Sequence, residues 1–338
     1  MRDDCGLQPS AVEPCLFIGE NIILLLYVDD GMVFAPTDTE AEAFLALVGQ
    51  RFDIKRLGAP RHFLGWTVSR DKDGNFHLHQ RGYIESMYNM YGSNIRDKAT
   101  PMVYGATLPD EGTPGDTAIY REIIGSLLFA SIGTRPDITT AVSMLSRHMA
   151  TPTKAHVTAA RNVIAYLAAT PELGLRYKAQ GEPNIEVYCD ASFASEEYKR
   201  KSRTGWVILV NGTPVAWKSS LQPVIAHSTA ESEYIAMSDA AREAIYIRRL
   251  LEAMHSNIDT IKVYEDNQVA KRMAEEIATK RSKHIDVRYH HIRELVEAGD
   301  IIIEECRTDN MLADMLTKPL PKEKFRMLRD RMMAKGEC

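Results

Sequence analysis

The order of strand-like and helix-like segments in the second half of the chain constrains its fold more than any single motif. Three strand-like segments with hairpin-length links come first, at residues 185–189, 205–210 and 214–218. The segments that follow alternate between helix and strand: helix 229–254, strand 261–264, helices 267–277 and 285–297, strand 300–304 and a closing helix from residue 310. This order predicts a mixed five-stranded sheet flanked by helices.

Four acidic residues fall at the ends of these predicted elements. Asp190 ends the first strand in "VYCDAS", and Asp266 follows the fourth strand in "VYEDNQ". If these two strands are neighbours, both side chains project from adjacent strand ends. Glu233, in "STAESEYIAM", lies in the helix beside them, where Glu231 competes for the same role, and Asp314 lies in the closing helix in "NMLADMLTK".

A group of buried carboxylates points to bound cations. Burying several of them together is very unfavourable unless a cation neutralises their charge. Two divalent ions about 4 Å apart, bridged by such acids, can clamp a phosphodiester for attack by water, and Mg²⁺ prefers oxygen ligands. Any one of these acids alone is more often a surface residue, so the arrangement of all four favours a metal site.

The first half contains a second acidic motif, "ILLLYVDDGMVF" at residues 23–34. Apolar residues on both sides of Asp30-Gly31 predict a β-hairpin with a tight turn. Asp29 and Asp30 then either face water at the bend or serve as ligands for a divalent metal, and the local sequence leaves both interpretations open.

Further predicted elements of the first half are a helix at 38–51, a hairpin around 62–80, a helix at 80–92, a loop at 97–117, and helices at 120–131, 137–149 and 154–169.

Charge and cysteine content narrow the functional class. The 338-residue chain has a net charge of -5, which is not typical of a nucleic-acid-binding protein, but basic residues cluster locally. The clusters at 199–203 and 280–283 fit phosphate contacts and solvated loops equally well. Five scattered cysteines argue against a disulfide scaffold or zinc site and fit a reducing compartment. The longest apolar run, residues 22–26, is too short to cross a membrane.

The motifs of the second half resemble the ribonuclease H domain of copia-type LTR retrotransposon Pol polyproteins. The resemblance covers about residues 185 to 320 and rests on "YCDAS", "KSRTGWV", "STAESEYIAM", "DNQVA", "KHIDVRYHHIRE" and "ADMLTK". It implies that Asp190, Glu233, Asp266 and Asp314 are catalytic metal ligands. Glu233 is preferred to Glu231 because Glu-Tyr-Ile-Ala matches the acid-plus-apolar run of ribonucleases H. The implied cofactors are two Mg²⁺ ions per site, for which Mn²⁺ can substitute.

The first half resembles the palm, thumb and connecting region of a copia reverse transcriptase, in "EPCLFIGENIILLLYVDDGMVFA", "FDIKRLGAPRHFLGWTVSRD" and "YREIIGSLLFASIGTRPDITTAVSMLSR". The resemblance implies that Tyr27, Val28, Asp29 and Asp30 form the polymerase motif, with both aspartates as metal ligands. Only 28 residues precede Asp29, and none resembles the palm strand that carries a third aspartate. We therefore expect an N-terminally truncated polymerase part that is inactive alone.

The resemblance also divides the chain into regions. It predicts a partial palm with the start of the thumb at 1–96, a mainly helical thumb and connection at 97–180, a ribonuclease H-like domain at 181–325 and a tail at 326–338. It implies that the chain is a metal-dependent endoribonuclease that hydrolyses the RNA strand of RNA–DNA hybrids.

The implied partners are this hybrid, an RNA template and a DNA primer, with other Pol or capsid polyprotein products as further candidates and no membrane. Basic residues expected to contact nucleic acid are Lys199, Arg200, Lys201, Arg203 and Lys283. The implied location is the cytoplasm, in virus-like particles for an active element, or the nucleus. The alternative hypothesis is a degenerate or domesticated fragment that binds nucleic acid without catalysis.

Overall fold

The computed structural model describes residues 5–92, 95–106, 108–179, 181–195, 200–275 and 291–335. The chain divides into two compact units, residues 1–61 with 245–259, and residues 62–244 with 260–338. No helix in the described part of the chain is long and apolar enough to cross a membrane. Residues 285–290 of one predicted helix lie outside the described residues.

The strands and α-helices of the described residues are numbered separately, each in chain order. The strands are β1 (Gln8–Pro9), β2 (Leu16–Ile18), β3 (Ile23–Tyr27), β4 (Asp30–Phe34), β5 (His62–Phe63), β6 (Trp66–Arg70), β7 (Phe76–His79), β8 (Leu173–Tyr177), β9 (Ile185–Ser192), β10 (Arg203–Val210), β11 (Thr213–Leu221), β12 (Ile261–Glu265), β13 (Ile301–Glu305) and β14 (Ala334–Lys335). The α-helices are α1 (Asp38–Gly49), α2 (Arg81–Met87), α3 (Thr117–Gly133), α4 (Thr139–Leu145), α5 (Lys154–Ala168), α6 (Thr229–Ala253), α7 (Gln268–Glu275), α8 (His291–Glu297), α9 (Asp314–Thr317) and α10 (Lys322–Met332).

The smaller unit contains a four-stranded antiparallel sheet in the order β1-β2-β3-β4. Strands β3 and β4 form the predicted hairpin, in which Tyr27 pairs with Asp30. Helix α1 begins after Thr37, whose hydroxyl accepts a hydrogen bond from the Glu40 amide and satisfies one of the free donors of the first turn. Leu24, Phe44 and other apolar side chains form the core of this unit.

The main sheet of the larger unit has the strand order β11-β10-β9-β12-β13. Strands β9, β10 and β11 are antiparallel, and β12 is parallel to both β9 and β13. Adjacent antiparallel strands need only short connections, whereas parallel strands need crossovers, which here include α6 and α8. The predicted mixed five-stranded sheet with flanking helices is confirmed. A second sheet, ordered β14-β8-β7-β6-β5, is antiparallel throughout.

Helices α3, α4 and α5 share one hydrophobic core with the main sheet. Ile123 and Ile164 from these helices belong to the same buried cluster as Val207 of β10 and Leu316 of α9. Two hydrogen bonds also join these helices to α9 and to the main sheet. The Thr140 hydroxyl donates to the Met315 carbonyl at 2.7 Å, and the Trp217 indole donates to the Ser131 carbonyl at 2.9 Å. The region boundaries predicted at 97, 181 and 326 stay predictions.

The closing helix is shorter and more interrupted than the sequence predicts. Instead of one helix from residue 310, the structure has the four-residue α9 and the separate α10. Pro319 and Pro321 explain the interruption, because proline lacks a backbone N–H and disfavours helical geometry in the residue before it. After this break α9 lies against β9 and β10, and α10 packs on Tyr166 of α5.

A fully buried ion pair lies in the interior of the larger unit and connects several of its elements. The Arg135 guanidinium donates to both carboxylate oxygens of Asp137, at 2.9 and 2.7 Å, and neither side chain is exposed. Arg135 also donates to the carbonyl and the hydroxyl of Thr170. Tyr166 donates to Asp137 at 2.6 Å and accepts from Arg329 of α10 at 3.3 Å. The network therefore joins the segment after α3 to α5 and α10.

We expect Asp137→Ala to lower the free energy of unfolding by about 3–5 kcal/mol, because it leaves a buried guanidinium without its counter-ion. Urea denaturation of the full chain measures this change. The matched control is Glu85→Ala, which removes one of the two carboxylates paired with the exposed Arg81 and should cost less than about 1 kcal/mol. Equal losses in the two variants would contradict the importance of the buried pair.

Candidate active site

Three of the predicted acids converge at one end of the main sheet. Oxygen atoms of Asp190, Glu233 and Asp266 all lie within 4.8 Å of one another, and within the described ranges they are the one such group of three or more His, Cys, Asp or Glu residues. The register explains the meeting of the aspartates: Tyr188 pairs with Tyr264 in the parallel strands, so Asp190 and Asp266 follow two residues later on each side. Glu233 lies in the second turn of α6.

Asp190 is buried and hydrogen-bonded. One of its oxygens, Oδ2, accepts a hydrogen bond from the Thr317 hydroxyl at 2.5 Å, and the Lys318 ammonium lies 4.0 Å from the same oxygen. Burial raises the pKa of Asp190 to about 6; Lys318 opposes this shift and the charge of Asp314 adds to it. The carboxyl group is therefore held in place by α9 and the residue after it.

Among these acids, Glu233 has the pKa that burial raises furthest. Its side chain is 3% exposed, and Oε2 is buried with no hydrogen-bond partner. Burial, followed by the charges of Asp190, Glu265 and Asp266, raises the pKa of Glu233 to about 11. A buried polar atom without a partner costs free energy, so this oxygen lowers the stability of the chain unless a ligand contacts it.

Glu231, the competing residue, lies outside the three-acid group. Its Oε2 atom accepts a hydrogen bond from the His227 amide at 2.8 Å, just before α6. The Glu231 amide donates a hydrogen bond to the Ser228 hydroxyl at 3.2 Å. Glu231 thus stabilises the start of the helix, whereas Glu233, two residues later, lies with the aspartates.

Asp314 is buried beside this group but its carboxylate belongs to an ion-pair cluster. Oδ1 lies 2.7 Å from the Lys318 ammonium, and Oδ2 contacts the Lys324 ammonium of α10. Lys324 also donates to the Thr308 carbonyl at 3.2 Å, and the Thr308 hydroxyl donates to Asp266 at 3.0 Å. Burial alone would lower the pKa of Lys318, but Asp190 and Asp314 raise it.

A fifth acid, Glu265, is part of the same electrostatic environment and is absent from the sequence prediction. Its side chain is buried, and its oxygens accept hydrogen bonds from the Asn267 amide at 2.9 Å and the Cys189 thiol at 3.6 Å. Burial raises the pKa of Glu265 to about 8. The predicted strand ends at residue 264, one residue before Glu265, whereas β12 includes it. The two adjacent acids at the strand end are the signal in the sequence that points to Glu265.

The predicted nucleic-acid-binding residues have different environments. Arg203 is 3% exposed and donates to the Ser143 and Ser219 hydroxyls, while burial and then Arg147 lower its pKa to about 10. This interior position differs from the exposed one that a predicted surface phosphate contact requires. Arg200 is exposed, and Lys201 donates to the Pro223 carbonyl at 2.9 Å. Lys199 and Lys283 lie outside the described residues.

The predicted polymerase motif lies at the exposed turn between β3 and β4. The side chains of Tyr27 and Val28 are 56% and 87% exposed, and Asp29 and Asp30 are exposed as well. Val28 has a φ of 54°, which is unusual for a β-branched residue and marks a constrained turn. In the part of the chain that the structure describes, no third metal-ligating side chain joins the two aspartates in a close group. Their metal-binding role stays a prediction.

The chain is similar in sequence to transposon proteins. It is 33% identical over 334 residues to the retrovirus-related Pol polyprotein from transposon TNT 1-94 of Nicotiana tabacum, a match that covers 94% of this chain and 25% of the polyprotein. It is also 33% identical over 226 residues to a putative transposon Ty5-1 protein of Saccharomyces cerevisiae, which covers 66% of this chain and 73% of that protein. The chain belongs to the transposon Pol polyprotein family.

This relationship confirms the identification from sequence as a portion of a retrotransposon Pol polyprotein. The Pol chain spans about a quarter of the length of the tobacco polyprotein and 22% of the polyprotein from transposon RE1 of Arabidopsis thaliana, to which it is 33% identical. No protein-family model matches the chain. Among solved structures, it is similar to LC11-RNase H1 isolated from compost, with a TM-score of 0.31 and 17% identity over 39% of this chain and 91% of that one.

We expect the chain, stripped of divalent cations, to lose stability as the pH rises from about 7.5 to 9, above the range in which unfolded histidines titrate. Unfolded carboxyl groups have a pKa near 4, whereas the folded protein retains protons at Glu265 up to about pH 8 and at Glu233 up to about pH 11. The folded state therefore binds more protons in this window, and its free energy of unfolding falls as the pH rises. Thermal unfolding in EDTA measures the effect.

The variant Glu233→Gln should make stability depend less on pH. It removes the carboxyl group whose pKa is raised most, to about 11. The control is Glu304→Gln at a half-exposed position of β13, which should keep the slope of the unmodified chain. A stability that stays constant or rises over the window in the unmodified chain would contradict the electrostatic description of the site.

Proposed function

We propose that the chain is the reverse transcriptase–ribonuclease H part of a copia-type Pol polyprotein and that its main sheet carries a metal-dependent endoribonuclease site. The proposed reaction is hydrolysis of the RNA strand of RNA–DNA hybrids. The observation that carries the proposal is the group of buried Asp190, buried Glu233 and partly buried Asp266, whose oxygens lie within 4.8 Å of one another. Membership of the Pol family makes nucleic acid the expected substrate class.

The chemistry of the site fits divalent cations. Oε2 of Glu233 is buried without a hydrogen-bond donor, and carboxylates crowded in this way need positive charge to ionise. Asp190, Glu233 and Asp266, with Asp314 beside them, would hold two Mg²⁺ ions, for which Mn²⁺ can substitute; oxygen ligands of this kind suit both. Bound divalent ions stabilise charge on a phosphodiester and lower the pKa of water.

The residues around the acids orient them for this role. Thr317 donates to Asp190 and Thr308 donates to Asp266, so each aspartate keeps one oxygen fixed by a hydroxyl. Such outer hydrogen bonds orient metal ligands in other proteins. Arg200 is exposed, and we propose that it and its neighbours contact backbone phosphates. Hybrid preference would then come from duplex shape and 2′-hydroxyl contacts rather than from base recognition.

We expect the full chain, supplied with Mg²⁺ or Mn²⁺, to cut the RNA strand of an RNA–DNA hybrid and to leave single-stranded RNA and DNA duplex largely intact. Asp190→Asn, Glu233→Gln and Asp266→Asn should each lower the rate by at least about 100-fold, because removal of one charge-stabilising group commonly costs this much. Glu231→Gln is the matched control, since it changes the neighbouring helical acid outside the group and should keep most of the activity. Gel analysis of end-labelled hybrids measures the cleavage.

Hybrid binding without any metal-dependent cleavage by the unmodified chain would favour the alternative function, a degenerate or domesticated nucleic-acid-binding fragment. A larger loss in Glu231→Gln than in Glu233→Gln would show that the wrong glutamate has been assigned to the site. Cleavage that persists in all three carboxamide variants would contradict the assignment of the activity to these acids. Binding should also weaken as salt concentration rises, because phosphate contacts release counter-ions.

The polymerase motif supports a separate proposal. We propose that Asp29 and Asp30 are the metal ligands of a palm hairpin that acts on an RNA template and a DNA primer in the longer Pol polyprotein. For the 338-residue chain we expect primer extension at background level, because no third ligand lies with these aspartates among the described residues and an incomplete ligand set weakens metal-assisted transfer. Mg²⁺-dependent extension that Asp29→Asn abolishes would contradict this expectation.

A further inference from the structure

The four predicted ribonuclease acids are neutralised unevenly. Asp314 has positive charge at both oxygens, from Lys318 at 2.7 Å on Oδ1 and from Lys324 on Oδ2. Glu233, in contrast, has a buried Oε2 atom with no partner. Asp190 lies between the two situations, because it accepts from Thr317 and lies 4.0 Å from Lys318. One side of the acid cluster is thus compensated by the chain itself, and the other side is not.

The side chain of Asp314 is 2% exposed, whereas those of Lys318 and Lys324 are 45% and 26% exposed. The carboxylate is therefore fixed in the interior, while both ammonium groups can move outward into water on their long stems. A cation that binds Asp314 has to take the place of at least one of them. The lysines and the cation are then alternatives at the same two oxygens.

We propose that Lys324 and Lys318 compete with a divalent cation for Asp314, so that the cluster takes up one cation readily at Asp190, Glu233 and Asp266 and a second only against the lysines. This inference deepens the proposed function and rests on it. Charge-assisted hydrogen bonds are the stronger kind, and Lys324 forms two bonds, to Asp314 and to the Thr308 carbonyl. Displacing it therefore weakens the second binding event.

The packing of α10 holds the backbone of Lys324 in place, so that only its side chain has to move when a cation binds Asp314. Phe325, the next residue, is 4% exposed and packs against the ring of Tyr166, and Arg329 one turn later donates to the Tyr166 hydroxyl. The backbone beneath Lys324 is thereby held to α5. Lys324 also reaches Thr308, whose hydroxyl donates to Asp266. Release of its ammonium group frees contacts on both sides of the cluster while the helix stays in place.

The test is Mn²⁺ binding to the full chain after removal of divalent cations with EDTA, followed by isothermal titration calorimetry with MnCl₂ and no nucleic acid. The unmodified chain should show one tighter and one weaker event. In Lys324→Met the weaker event should tighten by about tenfold, the scale of one charge-assisted hydrogen bond, while the tighter event changes little. Lys324→Arg, which keeps a cation beside Asp314, should resemble the unmodified chain.

The matched control is Lys322→Met, which removes the same charge from the same helix at a position whose nearest described acid is Glu323 at 3.9 Å. Lys318→Met gives a second test if Lys324→Met folds poorly, because it frees the other oxygen of Asp314. Tightening of the weaker event in Lys324→Met or Lys318→Met, but not in Lys322→Met, supports the proposal. Equal Mn²⁺ binding in Lys324→Met, Lys318→Met and Lys322→Met overturns it, even if hybrid cleavage is intact.

The proposed function fails in a different way. If Asp190→Asn and Glu233→Gln bind Mn²⁺ as the unmodified chain does, the cation site itself has been assigned wrongly, whatever the lysine variants show. If no variant binds Mn²⁺ at all, both the lysine competition and the metal site are excluded.

Discussion

The buried pair of Arg135 and Asp137 supports the elements that build the candidate site. It fixes the segment after α3, accepts the hydroxyl of Tyr166 from α5 and, through that hydroxyl, reaches Arg329 on α10. Helix α10 in turn carries Lys324, which contacts Asp314. The surroundings of Asp314 are therefore linked through α10 to an ion pair that does not contact it. Such pairs are costly to desolvate, and their geometry has to be well satisfied.

The acids at the end of the main sheet lack the full charge compensation that the Arg135–Asp137 pair has. The Arg135–Asp137 pair is compensated within the chain, whereas Glu233 is buried with one oxygen unpartnered. Perturbed carboxyl groups of this kind concentrate at functional sites, because the free energy spent on burial is recovered when a ligand binds. The two sets of buried charges therefore differ in whether the chain itself supplies the opposite charge.

Much of this arrangement is predictable from the sequence. The order of elements gives the mixed sheet, and apolar strands followed by Asp190 and Asp266 give two acids at neighbouring strand ends. Periodicity alone cannot choose between Glu231 and Glu233, which lie two residues apart on one helix; the resemblance to a known family supplies that preference. The sequence does not indicate that Lys318, just after α9, and Lys324 of α10 meet at Asp314, because this depends on the break at Pro319 and Pro321. Nor does the basic composition of residues 199–203 reveal that Arg203 turns inward to two serine hydroxyls.

The pairing of β14 with β8 has a consequence for synthesis of the protein on the ribosome. Ala334 pairs with Gly174, and Thr140 reaches the carbonyl of Met315, so contacts within this unit join positions separated by about half of the chain. Such long-range contacts slow folding, since the intervening loop must close before they form. Helices α3 to α5 will leave the ribosome well before α9 and α10 cover their apolar faces. During translation, these helices therefore need protection from aggregation, such as a chaperone that binds exposed apolar surface.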